Sequence, residues 1–360
     1  MTRGAPALRV ALDAGPLLDA PTGVGRYTRE LARALPLFDV DVRPYAVSLR
    51  GRADRDTARW RVPGRLARAS WMRFGHPRIE RLVGDVDVVH ATNFVLPSLG
   101  RARGVVTVHD LSFFRDDTFP GGERLRALVP WSVRRAAAVV VPSRAVADET
   151  RDRFGLSEER IRVIHEGVAS VFYGAAPLSE RALARLGIRP PFAIAVGTIE
   201  PRKNLLRLLQ AWEGAADAVT TWTLAIAGPA GWGPRLPRKD KVVTLGWVGD
   251  ETLPGLLAAA EFFCYPSVYE GFGLPPLEAM AARTPALVGR YPAAPEVLGE
   301  AALLVDPYDV REMTEALVAL VEDSGLRRRL SGLGRAQAAR YTWERTARST
   351  VDAYTLAMAA

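Results

Sequence analysis

The chain has 360 residues, 48% of them hydrophobic and 24% charged, with 31 Gly and 26 Pro. That length is too great for one ordinary core and suits two, while the composition excludes disordered, collagenous and fibrous chains. Net charge is +8, yet only three of the 48 basic residues are lysines; the arginine excess resembles the coding bias of a GC-rich genome, so nucleic-acid binding is not expected from it.

No run approaches the ~18 consecutive apolar residues of a membrane span. Residues 1–4 lead straight into an apolar run at 8–12 with no signal-peptide core. The single cysteine, Cys264, excludes a disulfide framework and a cysteine-based zinc site. A reduced, cytoplasmic protein is expected, with Cys264 buried and inert.

Short β-branched runs alternate with amphipathic helical stretches, the mark of parallel sheets built from βαβ units. Strands are predicted at 8–13, 40–45, 86–90, 105–109, 138–142 and 161–164, with helices at 24–35 and 144–154 among those between them. Residues 50–81 hold ten arginines against Asp54, Asp56 and Glu80, with Trp60, Trp71 and Phe74 interleaved. Such a stretch fits an anionic membrane surface or a solvated helix face whose aromatics pack inward. The proline-bearing segment 171–190 then reads as a linker. A second series follows, with strands at 192–196, 223–227, 242–245, 262–265 and 286–288. Its helices are expected at 205–212, 252–260, 275–282 and 310–321. A last helix at 343–356 has no strand after it and is free to dock on either domain. The fold class is α/β: two doubly wound parallel-sheet domains, 1–170 and 191–342, across a cleft.

Ligands of open parallel sheets lie beyond the carboxyl ends of strands, where helix N-termini present free N–H groups. Five turns there hold the chemistry. Gly23 and Gly25 open the first helix and let a phosphate or sugar approach the backbone. The sequence lacks the third glycine of a dinucleotide fingerprint. His109, followed by Asp110, ends a strand, where it either hydrogen-bonds a sugar hydroxyl or is satisfied by backbone. In Gly197-Thr198-Ile199-Glu200-Pro201-Arg202-Lys203-Asn204, Pro201 takes the first helical position, which puts Arg202 and Lys203 in the first helical turn. Cations oppose the helix dipole there, so a diphosphate is expected to compensate them. Gly228-Pro229 is a generic turn. The fifth segment, Glu270-Gly271-Phe272-Gly273-Leu274-Pro275-Pro276-Leu277-Glu278, combines a glycine loop, a proline-started helix and two carboxylates with seven residues between them. Both acids are expected to face the cleft and meet vicinal hydroxyls, with the helix N-terminus toward the diphosphate.

This last segment resembles the Glu-x7-Glu motif of retaining glycosyltransferases of family 4, whose GT-B fold pairs two Rossmann-like domains. Thr22 to Tyr27, His109-Asp110, Val141-Pro142-Ser143, the third segment, Gly246-Trp247-Val248 and Tyr341-Thr342-Trp343-Glu344 extend the resemblance over almost the whole chain. It implies a nucleotide-sugar donor on the second domain, a glycan, lipid-linked or small-molecule acceptor on the first, and a closing helix, about 343–360, that returns to the first domain. By carry-over, Glu278 binds the ribose. Glu270 and the amides of Gly271, Phe272, Gly273 and Leu274 bind the transferred sugar. Arg202 and Lys203 hold the diphosphate, His109 contacts the sugar, Gly23 and Gly25 flank the phosphates, and Thr198 and Val248 line the donor site. Thr198 replaces the arginine many members carry there. The Glu200-Pro201-Arg202-Lys203-Asn204 run is similar to bacterial polysaccharide mannosyltransferases, which implies GDP-mannose, with a UDP-sugar as the other candidate.

Two Asp-x-Asp pairs, Asp39/Asp41 and Asp85/Asp87, precede strands and so lie at the wrong end of a sheet for a ligand. Transfer without a metal is therefore expected, with fixed cations and helix N-termini stabilising the leaving diphosphate. A nucleotide-sugar epimerase or hydrolase would use the same cleft, and a basic membrane-binding or nucleic-acid-binding module is the non-catalytic alternative.

Overall fold

The computed structural model describes residues 8–18, 22–51 and 54–359. Residues 1–4, Pro21 of the first glycine turn and Arg52 and Ala53 of the basic stretch lie outside the described residues. The chain divides into two compact units, Met1–Gly167 with Trp343–Ala360, and Val168–Thr342.

The first unit carries β1 (Leu8–Asp13), β2 (Val40–Val47), β3 (Ala58–Trp60), β4 (Val88–Ala91), β5 (Arg103–Thr107), β6 (Ala138–Val141) and β7 (Ile161–Val163). They form one parallel sheet in the order β3-β2-β1-β4-β5-β6-β7. Strands such as β4 and β6 are buried along their whole length, as central strands covered on both faces must be. The second unit carries β8 (Phe192–Val196), β9 (Thr223–Ala227), β10 (Val242–Gly246), β11 (Phe262–Tyr265), β12 (Ala286–Gly289) and β13 (Leu303–Val305). Its parallel order, β10-β9-β8-β11-β12-β13, reverses direction between β8 and β11. In such doubly wound sheets ligands bind at that reversal.

Local chemistry sets the helix ends. Thr22 caps helix Gly23–Ala34 by accepting from the Gly25 amide at 3.1 Å, and Ser143 caps Arg144–Phe154 through Val146 N. Residues 171–190 contain helix Glu180–Arg185, capped by Ser179. Helix Trp343–Ala359 docks on the first unit. Its Trp343, Ala347, Tyr354 and Ala357 join Val10, Leu12, Tyr27, Val88 and Val140 in one core. The second unit's core gathers Ala193, Ile226, Phe262 and Cys264 under Leu208, Trp212 and Leu317. Cys264 is fully buried, and burial pushes its thiol pKa up.

The aromatics of the basic stretch differ in burial. Trp60 and Trp71 pack inward, Trp71 donating its indole N–H to the Pro77 carbonyl, whereas Phe74 at the end of helix Gly64–Phe74 is 68% exposed. The Asp pairs lie at strand starts and are engaged by arginines: Asp41 by Arg43, and Asp85 and Asp87 by Arg9.

Gly228 explains a turn that looked generic. Its φ is +152°, and a Cβ there would run into the Gly197 carbonyl, so the carboxyl ends of β8 and β9 close only around glycine. Gly228→Ala is expected to cost about 2 kcal/mol, which lowers Tm by roughly 4–8 °C for a unit of this size. An unchanged melting curve would contradict that packing.

Candidate active site

Two loops meet at the reversal point of the second sheet. After β8, the turn Pro201–Lys203 is a single 3-10 turn, and Asn204 follows in the left-handed region at φ 57° before helix Leu205–Gly214 begins. Arg202 and Lys203 therefore precede the α-helix rather than fill its first turn. The buried Asn204 fixes this turn by donating to the carbonyls of Pro266 (3.1 Å) and Pro307 (2.6 Å). Val268 N donates to the Arg202 carbonyl at 2.9 Å, so the loop after β11 is stitched to the same turn.

That stitching puts Glu270 between the two cations. Lys203 Nζ lies 2.7 Å from Glu270 Oε1 and 2.7 Å from the Tyr265 hydroxyl, above whose ring it sits. Arg202 pairs with Glu270 Oε2 through Nη1 and with Glu200 Oε1 through Nε at 2.6 Å. Lys203 and Glu270 are 8% and 7% exposed. The expected compensating anion is thus supplied by the protein itself: two carboxylates balance two cations. Burial alone would raise the Glu270 carboxyl pKa. The charges of Arg202 and Lys203 outweigh it and hold the group at about 2, against an ordinary 4.5. For Lys203, burial and then the like charge of Arg202 lower the ammonium pKa, opposed by Glu270.

Glu278 sits in helix Leu274–Ala281 at 2% exposure, a buried acid where an open one was expected. Phe272 and Leu274 are buried as well. Gly273 has φ 105°, and a Cβ there would strike the Tyr291 hydroxyl, which donates to the Phe272 carbonyl at 3.3 Å. Packing thus demands this glycine whatever else the loop does. Thr198 and Val248 are half-buried on the loops after β8 and β10. A separate hollow of about 360 Å³ is lined by Ile199, Glu200, Pro201, Asn204, Arg207 and Leu236, and Lys203, Glu270 and Glu278 do not line it.

In the first unit, Gly23 is exposed and open beyond its α-carbon, while the Gly25 amide is spent on the Thr22 cap. His109 is nearly buried. Its Nε2 lies 2.8 Å from the Thr92 carbonyl and its Nδ1 3.2 Å from Glu166 Oε1, while the Tyr27 ring meets it edge-on at 4.8 Å. Both nitrogens face acceptor oxygens, a backbone carbonyl and a carboxylate, and a neutral ring can donate to only one of them at a time. Glu166 was not foreseen: it follows β7 where the alternation fades, with no motif to mark it. Tyr265 was read only as strand.

Two Rossmann-like sheets in one chain, with a C-terminal helix on the first, define the GT-B architecture. Solved structures share it: WaaG, a glycosyltransferase involved in lipopolysaccharide biosynthesis, superposes with TM-score 0.74 over 96% of this chain and 98% of its own at 17% identity. Anabaena Alr3699/HepE, solved in complex with UDP and glucose, gives 0.74 over 97% and 99% at 19% identity. Residues 21–172 match the family described as Glycosyltransferase Family 4, and 190–323 that described as Glycosyl transferases group 1. The chain is 33% identical to O-antigen chain mannosyltransferase B of Escherichia coli, over 75% of this chain and 74% of that one. It is 35% identical to the MMP alpha-(1->4)-mannosyltransferase of Mycolicibacterium hassiacum, over 63% and 56%. The chain belongs to the family 4 glycosyltransferases and is an enzyme of sugar transfer.

Removing one member of a buried ion cluster strands the others, at about 3–5 kcal/mol. Glu270→Gln is therefore expected to destabilise the second unit by that order at pH 7. With the folded pKa below the unfolded one, the carboxylate's contribution is complete above about pH 4.5 and lost as pH falls through 2. Urea unfolding of both proteins across that range checks it; curves that coincide at pH 7 would show that the cluster does not form.

Proposed function

We propose that the enzyme transfers mannose from GDP-mannose to a hydroxyl of a growing polysaccharide or lipid-linked glycan, with retention at the anomeric carbon and without a metal. The donor assignment leans on the relatives named above, which are mannosyltransferases by name. The observation that carries the site assignment is Glu270, buried and held ionised by Lys203 and Arg202 at the reversal of the second sheet.

On this reading Glu278 takes the ribose hydroxyls, and Thr198 and Val248 line the nucleotide. Glu270 with the amides of Gly271, Phe272, Gly273 and Leu274 takes the mannose hydroxyls. Lys203 has three ammonium hydrogens, and its bonds to Tyr265 and Glu270 use two; the third is directed to the diphosphate. Arg202 adds its charge, and the start of helix Leu274–Ala281 adds amide dipoles. Because Glu200 and Glu270 already offset the two cations, the leaving group is stabilised by fixed donors more than by net positive charge. The acceptor oxygen attacks from the face the diphosphate leaves. The anomeric C–O bond to phosphate breaks as the new glycosidic bond forms, and the acceptor proton passes to the departing diphosphate. On the first unit we assign Gly23 to the phosphates and His109 to the sugar. Glu270 and Glu278 are thereby recognition groups, unlike the nucleophile and acid pair of a glycosidase.

We also assign the acceptor-side surface to the inner face of a membrane. Leu66, Met72 and Phe74 project from helix Gly64–Phe74 into solvent among Arg65 and Arg73, an apolar and cationic mixture suited to anionic headgroups. Among the described residues no helix is long and apolar enough to cross a membrane.

A ligand that binds only the folded state at 100 times its Kd adds about 2.7 kcal/mol. GDP is expected to raise Tm more than UDP, ADP or TDP at equal concentration, and mannose transfer to persist in EDTA. A shift with UDP alone would replace the donor, and loss of activity restored by Mg²⁺ would end the metal-free mechanism. Vesicles containing phosphatidylglycerol are expected to sediment the protein, and Phe74→Ser to weaken this severalfold; equal recovery with neutral vesicles would remove the membrane assignment.

A further inference from the structure

The first unit contains a buried polar chain that the transfer step leaves unused. His90 on β4 is fully buried, with Nδ1 2.6 Å from the Tyr354 hydroxyl and Nε2 2.8 Å from Thr107 Oγ1. Burial pushes its pKa down to about 3, so the ring is neutral, donating through one nitrogen and accepting through the other. Thr107 Oγ1 also lies 3.1 Å from the Tyr27 hydroxyl, and Tyr27 is the residue whose ring abuts His109. The chain thus runs from helix Trp343–Ala359 through the sheet to the histidine beyond the end of β5.

A second arm leaves the same helix. Thr346 donates to the His165 carbonyl at 2.8 Å, and the next residue is Glu166, which faces His109 Nδ1. The remaining nitrogen of His109 is fixed by Thr92, whose hydroxyl donates to the Asp13 carbonyl at 2.7 Å and lies 3.1 Å from the Thr28 hydroxyl. The polar groups that face His109 are therefore tied either to this helix or to the strand-end backbone, while Phe94 adds a ring contact at 6.1 Å. An apolar core would fill the space between β4 and the helix without the desolvation cost of an imidazole and two hydroxyls. The polar route does something packing alone does not: it fixes directions.

We propose that Tyr354 and Thr346 are positioning residues for sugar transfer, through which the C-terminal helix sets the orientation of the His109 ring by way of His90, Thr107 and Tyr27 on one side and of His165 and Glu166 on the other. The proposal rests on the reading that His109 meets the transferred sugar. It makes this helix part of the working site, although none of its residues touches His109.

The test is a double-mutant cycle on the full chain, following GDP release from GDP-mannose. Tyr354→Phe keeps the ring and removes only the hydroxyl; Thr346→Val does the same for the second arm and serves if the first variant does not fold. Each is expected to lower kcat by about tenfold, the scale of a small misplacement at a reacting centre, with donor KM changed by less than about twofold. In a His109→Ala background, Tyr354→Phe is expected to cause no further loss, because both act on one element. Losses that multiply across the two sites, or a kcat unchanged in Tyr354→Phe while His109→Ala is impaired, would overturn the relay alone. Full turnover in His109→Ala would overturn the reading of the histidine itself, and the relay with it.

Discussion

The buried cluster of Lys203, Glu270, Arg202 and Glu200 is the constraint on which the second unit turns. Three charges held away from water, with the part-exposed Arg202 beside them, are expensive, and each is tolerable only because its partners are within bonding distance. Glu270 lies 67 residues from Lys203 in sequence. The two meet because β8 and β11 are neighbours in the sheet while their connections run outward through β9 and β10. A doubly wound order is thus a requirement of the cluster, and the cluster in turn fixes the geometry of the two loops that carry the candidate donor contacts. Asn204, in its left-handed conformation, is the small hinge that lets the 3-10 turn aim Arg202 and Lys203 toward the β11 loop before the helix starts.

The first unit is organised on a different principle. Its carboxyl-edge histidine lies between a backbone carbonyl, a carboxylate and aromatic rings, and the chain's last helix completes the core beneath it. Sequence neighbours of His109 contribute little to this. Thr92, Glu166 and Tyr27 come from three other segments. Both units therefore use the same device, a parallel sheet whose strand ends collect residues distant in sequence, with ionic chemistry in one and hydrogen-bonded aromatic packing in the other.

Strand periodicity made much of this architecture readable in advance. Leu8–Asp13, Phe192–Val196, Thr223–Ala227 and Phe262–Tyr265 end where apolar runs meet turn residues, and helix Arg144–Phe154 is bracketed by Ser143 and Gly155. The three-residue strands β3 and β13 escaped notice, although β7, equally short, did not. Helices Gly122–Arg135 and Ser324–Ala338 were not delimited because their arginines dilute the apolar stripe. The motif residues were visible, but their partners were not. Two adjacent cations were read as needing an external anion, since nothing local reveals a carboxylate from a loop 67 residues on. Glu278 was read as open because glutamate is rarely buried, whereas the short helix that carries it is packed on nearly every side.

We propose that the diphosphate-linked sugar binds beside Glu270, with Lys203 at its phosphate oxygens. A crystal structure with intact GDP-mannose tests it most directly. The account places the mannose against Glu270 and the amides that follow it, the ribose at Glu278, and a phosphate oxygen within hydrogen-bonding distance of Lys203 Nζ. Donor density away from the ends of β8 and β11, or a diphosphate that leaves Lys203 bonded only to Glu270 and Tyr265, would contradict it.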